Sequence, residues 1–484
     1  MKKIKVNYVP DIPNRTPDYY CTWQTQLYAT SDGKAEAQRA AISEKALFGD
    51  EKPFGWTDFY PDARRDLFFV MDDSWDVPLN DYKEYHGSMV LNRDKFPSYA
   101  DEKNPQNALA RLNEDVKKKG WRAVGGWVCA QESPLFAKGK KEYWTERLLW
   151  CRDAGVPYWK VDWGKNCRVP EFREWLTALA HEIAPKVMIE SALIPSVIPH
   201  CDVFRTYDVP AILSIPCTMA KLEEVLHYCA DGFSSIINCE DEAYIGAALG
   251  CSLGIMRHPY AGALPDGRAD MSFPVVHRNL KTRIDEVTRA VRWHRIAPAF
   301  SVDGKNTHFS KQYLTDSWKT GNFDEEFEAW WPKALGLGDG IPESFEKSAP
   351  SSISRNMPLP EISGDILPFT VCAKNPGGAV SIATLGRTIE RRFFIPECDI
   401  KIDGCGSGVF GIFGRYNSLT ILGDERGKQI LAQDLKADYS FDITDDIEIR
   451  DESFTVPGEV IETVGNSART EGDHSDAGML LMIR

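Results

Sequence analysis

Two acidic clusters in the sequence directly follow hydrophobic runs, which is the arrangement of active sites built at the ends of strands. The run Tyr158–Val161 ends at Asp162 and contains Lys160 two residues before it. Because side chains alternate along a strand, Lys160 and Asp162 are predicted to point to the same side. An ammonium group beside a carboxylate favours its ionised form, which an attacking nucleophile needs. Asp162 is therefore the candidate nucleophile.

The second cluster contains Asp72, Asp73 and Trp75, after the apolar run 67–71. Paired carboxylates can accept several hydrogen bonds from adjacent sugar hydroxyls, and an indole can cover the apolar face of a sugar ring. A metal site is the competing interpretation. The sequence has no CxxC or HxxxH spacing, and we predict no metal and no cofactor.

A second catalytic carboxylate is expected, because retaining glycoside hydrolysis needs two carboxyl groups on opposite sides of the bond. Asp208 is the candidate, since it lies two predicted strands beyond Asp162 in the segment 203–210. A separation of roughly 5–5.5 Å between the two groups would imply retention of configuration. In the competing interpretation, Asp208 caps a helix or pairs with Arg205.

Apolar or β-branched runs alternate with helical patterns through the first 300 residues. The predicted strands are 19–23, 67–72, 122–128, 157–162, 186–190, 202–206, 234–238 and 253–256, and the predicted helices include 107–119, 142–154, 171–183 and 221–230. Eight strands separated by helices predict an α/β fold, a (β/α)8 TIM barrel with its chemistry at one rim. The alternative is an open, doubly wound sheet.

The pattern changes after residue 300. Residues 301–360 are rich in glycine, proline and serine, and they are predicted to form a loop-rich linker or insert that includes Trp330 and Trp331. Short β-type runs and turns follow, which predict a C-terminal antiparallel β-sandwich over 361–484. The predicted domains are thus a catalytic barrel (1–300), a linker (301–360) and a β-sandwich (361–484).

Composition restricts the partners. The net charge of −14 disfavours nucleic acid and anionic membranes as partners, whereas a neutral carbohydrate is compatible with it. Scattered cysteines in apolar patterns (Cys129, Cys151, Cys229 and Cys251) predict buried free thiols. With no visible secretory signal, they predict a cytoplasmic location. A homo-oligomer is left open.

Together these motifs resemble glycoside hydrolase clan D, the α-galactosidase-type enzymes of families 27 and 36. The segments that carry the resemblance are Asp72-Asp73-Ser74-Trp75, Lys95-Phe96-Pro97-Ser98, Gly125-Gly126-Trp127-Val128, Trp159-Lys160-Val161-Asp162, and Arg205 with Asp208. The resemblance implies that Asp162 is the nucleophile and Asp208 the acid/base. It also implies substrate contacts at Trp23, Asp72, Asp73, Trp75, Trp127, Lys160, Glu190, Arg205 and Asp241.

The sequence departs from the clan pattern at several of these positions. Trp23 alone matches the clan's N-terminal Gly-Trp-Asn-Ser-Trp, and Gln131 replaces an expected acid. Asp241 lies in a segment that loosely resembles the clan's Asn-Asp-Pro-Asp. The interval from Arg205 to Asp208 is three residues, where family 27 uses four. These departures bear mainly on sugar specificity.

Glu190 follows the fifth predicted strand at a position that bears on sugar choice. In family 27 this loop separates enzymes for galactose from enzymes for N-acetylgalactosamine, and Glu190 with Leu193 resembles the galactose version. The alternative is that Glu190 holds Arg205 or a lysine.

The sequence therefore predicts a retaining, exo-acting α-glycosidase, and specifically an α-galactosidase, that works through a glycosyl-aspartate intermediate. Three alternatives stay open. The first is a clan-related enzyme of other specificity (α-N-acetylgalactosaminidase or β-L-arabinopyranosidase), the second is a transglycosidase, and the third is a non-catalytic carbohydrate-binding barrel. A metal-dependent barrel hydrolase is disfavoured by the lack of histidine clusters.

Overall fold

The computed structural model describes residues 1–29, 35–49, 54–78, 86–136, 138–206, 214–229, 234–256, 265, 280–319, 344–390, 392–424 and 426–484. Within its first 300 residues the strands are β1 (Lys2–Ile4), β2 (Tyr19–Cys21), β3 (Phe68–Met71), β4 (Ala123–Val128), β5 (Tyr158–Val161), β6 (Met188–Ser191), β7 (Val203–Arg205), β8 (Ile236–Glu240) and β9 (Ser252–Ile255). The helices there are α1 (Trp23–Tyr28), α2 (Ala35–Ala41), α3 (Glu44–Phe48), α4 (Pro105–Lys118), α5 (Lys140–Ala154), α6 (Pro170–Ile183), α7 (Ser214–Val225), α8 (Ala243–Leu249) and α9 (Leu280–His294).

Strands β2 to β9 close into a barrel in which each neighbouring pair is parallel. Such strands are buried on both faces, since one face fills the barrel and the other lies under the helices. The interior apolar cluster consists of Tyr19, Cys21, Phe68, Val70, Ala123, Tyr158, Val203 and Met256. The predicted (β/α)8 barrel is confirmed, and each predicted strand becomes a barrel strand with ends within two residues of the prediction.

The predicted helices agree well at three of four positions. Helix α5 ends at Ala154, and Gly155 caps it in the left-handed conformation (φ 67°) that the sequence position of this glycine predicts. Helix α7 differs, because it begins at Ser214 rather than at Lys221. Pro216 falls in its first turn, where the missing N–H is not needed for the helical hydrogen bonds, so the proline does not delay the start of the helix.

The remaining elements form the C-terminal part of the chain. Its strands are β10 (Thr307–Phe309), β11 (Tyr313–Lys319), β12 (Ser344–Pro350), β13 (Ser352–Arg355), β14 (Glu361–Ser363), β15 (Phe369–Lys374), β16 (Val380–Leu385), β17 (Arg387–Ile389), β18 (Arg392–Phe394), β19 (Asp399–Asp403), β20 (Val409–Gly414), β21 (Ser418–Leu422), β22 (Ile430–Asp434), β23 (Ser440–Asp442), β24 (Glu448–Ile449), β25 (Ser453–Pro457) and β26 (Ala477–Ile483), and helix α10 spans Gly458–Gly465.

These strands build a sandwich, as predicted. One sheet has the order β1-β23-β22-β26-β20-β16-β15-β13-β10, and the other has the order β14-β19-β21-β25-β24. An apolar cluster that includes Ile382, Ile400, Phe410, Leu419 and Phe454 lies between them. Most neighbouring pairs are antiparallel, but β13–β15, β16–β20 and β19–β21 are parallel, so both sheets are mixed.

Two segments differ from the predicted domain division. Strands β10 and β13, within 301–360, belong to the nine-stranded sheet, and β11 pairs with β12 as a hairpin. The described part of this segment is therefore largely strand. Four of its five glycines fall in 320–343, which lies outside the described residues and contains Trp330 and Trp331. At the other end of the chain, β1 pairs with β23 and so belongs to the sandwich rather than to the barrel.

A buried ionic cluster joins α9 of the barrel to the sandwich. Arg289 Nε and Nη2 donate to the two carboxylate oxygens of Asp434 at 3.0 and 3.1 Å, and both side chains are fully buried. Lys436 Nζ lies 2.6 Å from Asp285 and 3.4 Å from Asp473. Bidentate arginine–carboxylate pairs are directional, so this cluster fixes the angle between the two parts.

We expect Asp473→Asn to destabilise the protein by about 2 kcal/mol at neutral pH. Burial opposes ionisation of Asp473, but Arg289, Ser475 and Lys436 lower its pKa to about 2. A carboxylate with a lowered folded-state pKa stabilises the fold above its unfolded pKa, roughly 4, and the contribution is lost as the pH falls toward 2. Urea unfolding of wild type and variant at pH 7, 4 and 2.5 measures the difference, which should shrink with acid.

The matched control is Asp438→Asn, since the Asp438 carboxylate pairs with Arg292 but is 82% exposed. Exposed pairs contribute little, so this variant should unfold like wild type. If the loss of stability in Asp473→Asn does not change with pH, the contribution of the Asp473 carboxylate to stability is not electrostatic.

All twelve cysteines belong to the described residues and are free thiols. Cys129, Cys151 and Cys251 are buried as predicted, whereas Cys229 is exposed, because it lies beyond the end of α7 at Val225. Among the described helices, none combines the length and the apolar character needed to cross a bilayer.

Candidate active site

The candidate active site lies at the carboxyl ends of the barrel strands. Asp162 directly follows β5, Arg205 ends β7 and Glu240 ends β8. In parallel barrels this end is formed by the loops that follow the strands, and catalytic groups gather there. The polar side chains here are almost completely buried, so each needs partners within the protein.

Asp162 has one carboxylate oxygen held in place and the other without a partner among the described residues. Oδ2 accepts hydrogen bonds from Trp127 Nε1 at 3.3 Å and from Arg205 Nη2 at 3.0 Å. Oδ1 is buried, and no group in the described part of the chain donates to it. Arg173 donates to the backbone carbonyl oxygen of Asp162 at 3.0 Å and fixes the end of the strand. Of the two carboxylate oxygens, Oδ1 is therefore the one that is not hydrogen-bonded to the described residues.

Lys160 connects Asp162 to the acidic cluster after β3. Its Nζ lies 3.8 Å from Asp162 Oδ2 and 2.5 Å from Asp72 Oδ2, so Lys160 and Asp162 face the same space. Burial opposes the charge of Lys160, but Asp72 outweighs it and raises the lysine pKa. Cys21 donates to Asp72 Oδ2 at 2.9 Å. Burial raises the pKa of the Cys21 thiol well above its usual value, which keeps the proton on sulfur.

Asp73 is held by three neighbouring side chains. Its Oδ1 accepts from Ser74 Oγ at 2.9 Å and lies 3.1 Å from His86 Nε2, while Oδ2 accepts from Arg39 Nε at 3.1 Å. Burial opposes ionisation of Asp73, but His86, Arg39 and Ser74 together lower its pKa. Most of its acceptor capacity is therefore used within the protein, and a direct sugar contact at Asp73 stays a prediction.

Arg205 is shared by three carboxylates. Its Nη2 donates to Asp162, its Nη1 donates to Glu240 Oε1 at 3.3 Å, and its Nε lies 3.2 Å from Glu190 Oε1. Burial alone would lower the arginine pKa, but Asp162, Glu240 and Glu190 raise it well above its usual value. A guanidinium carries N–H groups on three nitrogens in a fixed plane, so it can meet several carboxylates in fixed directions.

Glu190 lies deeper in the barrel than the sequence suggests. Its Oε2 accepts from Tyr158 OH at 2.6 Å, and Tyr19 OH lies 3.4 Å from Oε1. Burial raises the pKa of Glu190, and Arg205 opposes that shift. Glu190 therefore contacts Arg205, as the alternative interpretation of the sequence predicts.

The sugar platform predicted at Trp75 is not supported. The indole is 1% exposed, and its Nε1 donates to the carbonyl oxygen of Trp127 at 3.0 Å. Its ring lies against the Cα of Gly126, where a Cβ would approach to 3.5 Å. Because Gly126 and Trp127 face opposite sides of β4, Trp75 packs outside the barrel and away from Asp162.

The other predicted contacts occupy the rim. Trp23 is half-buried in α1 and packs against the interior cluster. Gln131 accepts from the backbone N–H of Lys165 at 3.3 Å. Asp241, in a left-handed conformation (φ 58°), accepts from the N–H of Met256 at 3.0 Å, so it organises the backbone after β9. Asp208 lies outside the described residues, and so does the rest of 207–213.

Sequence reasoning missed an aromatic wall beside Asp162. The rings of Trp127 and Trp163 are 5.4 Å apart, and His86 meets Trp163 edge-on at 4.8 Å. Trp163 is half-buried. Its position next to Asp162 was a usable signal, whereas nothing local to His86 indicates the contact.

Comparison with known proteins gives only distant likenesses. No family model and no curated protein matches the chain. An α-galactosidase from Saccharomyces cerevisiae is 11% identical, with 99% of this chain and 100% of that chain covered and a TM-score of 0.40. A family 27 β-L-arabinopyranosidase from Geobacillus stearothermophilus is 9% identical, with 69% and 94% covered and a TM-score of 0.37. An α-amylase from Geobacillus thermoleovorans is 8% identical, with 97% and 99% covered and a TM-score of 0.42.

The first two of these enzymes are of the type that the sequence motifs resemble, and the third is an amylase. Likeness at this level carries no argument about activity, so the assignment of the site depends on its own side chains.

Proposed function

We propose that this protein is a retaining, exo-acting α-glycosidase that acts on α-galactosides, with Asp162 as nucleophile. The observation that supports it is the state of the Asp162 carboxylate. Trp127 and Arg205 hold Oδ2, while Oδ1 has no donor among the described residues. A nucleophilic carboxylate needs this combination of fixed orientation and one free oxygen.

In the first step, Asp162 Oδ1 attacks the anomeric carbon of the terminal sugar, and the bond to the leaving oxygen breaks. Asp208 gives its proton to that oxygen. In the second step, water attacks the anomeric carbon and returns a proton to Asp208, and Asp162 departs as a carboxylate. Arg205 and Lys160 stabilise the negative charge that Asp162 regains, which makes it a better leaving group. No cofactor is required.

Recognition of the sugar is assigned to the polar groups around Asp162. Lys160, Asp72 and the half-buried ring of Trp163 are proposed as the donor, the acceptor and the apolar surface that a sugar ring needs. Exo action, at the terminal sugar of the chain, is part of the proposal. The preference for galactose comes from the resemblance of the motifs to clan D.

A panel of aryl α- and β-glycosides tests the proposal. We expect turnover of the aryl α-galactoside above all others, with the α-anomer of galactose as the first product seen by proton NMR. Retention would support two displacements at carboxyl groups about 5–5.5 Å apart. No turnover on any glycoside, or a first product of inverted configuration, would contradict it. Added acceptor sugars in the same assay measure transfer against hydrolysis and so decide the transglycosidase alternative.

A further inference from the structure

The side chain of Glu190 contacts groups in the interior layers below and above its own. Glu190 pairs with Lys160 across β5 and β6, so the two backbones are level. Tyr158 lies two residues before Lys160 and therefore one interior layer lower, whereas Asp162 lies one layer higher. The Glu190 carboxylate accepts from Tyr158 OH at 2.6 Å. Oε1, in contrast, lies 3.2 Å from Arg205 Nε, and Arg205 belongs to the layer above, because Val203 is the residue level with Glu190.

Both oxygens of Glu190 already have partners. Oε2 is taken by Tyr158, while Oε1 lies 3.2 Å from Arg205 Nε and 3.4 Å from Tyr19 OH. The side chain is 1% exposed. A sugar hydroxyl could reach Glu190 only by displacing a tyrosine or the arginine, each of which would then be buried without its partner.

Arg205 transmits this contact to Asp162. The guanidinium is planar and rigid, so fixing Nε and Nη1 also fixes the direction of Nη2. Glu190 Oε1 forms an ion pair with Nε at 3.2 Å, and Glu240 Oε1 accepts a hydrogen bond from Nη1 at 3.3 Å. The remaining nitrogen, Nη2, meets Asp162 Oδ2 at 3.0 Å.

We infer that Glu190 is a positioning residue for the nucleophile and not a contact that selects the sugar. Through Arg205 it aims Nη2 at Asp162 Oδ2, which leaves Oδ1 directed at the anomeric carbon. This role rests on the proposed function of Asp162. Substitution at Glu190, or at Tyr158 beneath it, should therefore change the rate of the chemical step and leave sugar choice unchanged.

Steady-state kinetics of Glu190→Gln and Tyr158→Phe test the inference on the aryl glycoside panel. We expect Glu190→Gln to lower kcat by about 100-fold and Tyr158→Phe by about 10-fold, because small misplacements of a reacting group have effects of this size. KM, the dissociation constant of free galactose and the order of preference among the glycosides should stay as in wild type. Tyr20→Phe is the matched control, since Tyr20 adjoins Tyr19 on β2, faces outward and pairs with Thr25 at 2.7 Å; its kcat should be unchanged.

A raised KM or a changed order of sugars, with kcat preserved in Glu190→Gln, would overturn the inference and make Glu190 a sugar contact. Loss of kcat in Tyr158→Phe with wild-type galactose affinity would support it even if Glu190→Gln folded poorly. Wild-type kcat in both variants would also overturn it.

A second measurement does not depend on activity, so it separates this inference from the proposed function. Unfolding midpoints of Asp162→Asn, Glu190→Gln and the double variant should be non-additive, because both carboxylates contact the same guanidinium. Asp162→Asn combined with Asp451→Asn, an exposed position in the sandwich, should be additive. Additivity of the first pair would overturn the inference, whether or not any glycoside is hydrolysed.

Discussion

Asp162→Asn is expected to lower kcat on the aryl α-galactoside by about 10⁵-fold, the size of effect seen when a covalent nucleophile is removed. The amide keeps the shape of the side chain but is a very poor nucleophile. Its oxygen can still accept from Arg205 or Trp127, so the barrel should keep its fold. Initial-rate kinetics together with far-UV circular dichroism measure the two effects separately.

Azide rescue of Asp162→Gly makes this test specific to the nucleophile. Azide should fit into the space left by the carboxylate and attack the anomeric carbon as the bond to the leaving oxygen breaks, which gives a β-glycosyl azide of inverted configuration. Asp451→Asn, the same chemical change at an exposed carboxylate in the sandwich, should keep wild-type rates. Near-normal turnover of Asp162→Asn would remove Asp162 from the mechanism.

Arg205→Met is expected to have the largest effect on stability, about 3–5 kcal/mol, because it leaves buried carboxylates without their shared counter-charge. Asp162, Glu190 and Glu240 all lie within 3.3 Å of the guanidinium. Activity should be lost as well, since Asp162 Oδ2 loses its strongest donor. Urea unfolding between pH 5 and pH 8 is the measurement.

The loss of stability in Arg205→Met should depend on pH in a defined direction. Removal of Arg205 favours protonation of carboxylates such as Glu190, whose pKa burial already raises. A folded state that binds more protons than the unfolded state gains stability as the pH falls. The deficit relative to wild type should therefore be smaller at pH 5 than at pH 8. Arg65→Met, at an exposed pair with Asp11, is the control and should unfold like wild type; an equally small effect at Arg205 would contradict the shared role.

The barrel and the position of Asp162 at its rim could be predicted because both depend on local patterns. A buried strand that ends at a carboxylate is visible in the sequence, and the alternation of side chains places Lys160 beside Asp162. The same rule could have found Glu240, which lies two residues after Asn238. The predicted strand ends at Asn238, whereas β8 continues to Glu240, so Glu240 lies on the strand and not in the loop after it.

The partners of Asp73 could not be predicted in this way. Arg39 and His86 lie 34 and 13 residues away in the chain, and no periodic pattern relates them to Asp73. The error at Trp75 has a similar origin. An indole after a strand end suggests a sugar platform, but the packing of its ring against Gly126 outside the barrel depends on tertiary structure.

The prediction of domain boundaries was limited for a related reason, because strand pairing is long-range. Segment 301–360 has the composition of a loop, yet β10 and β13 find partners in the large sheet of the sandwich. Glycine and proline content describes local backbone preference, whereas strand formation at such positions depends on an adjacent strand that is distant in sequence.

The pairing of β1 with β23 sets a constraint on the order of folding. Lys2 lies opposite Asp442, so all the residues between them must be synthesised before β1 meets its neighbour. Until then β1 has no strand beside it, and unpaired strands can pair with other chains. The pairing of β1 with β23 is therefore expected to form late in folding. It joins strands that are far apart in sequence, and contacts of this kind form slowly.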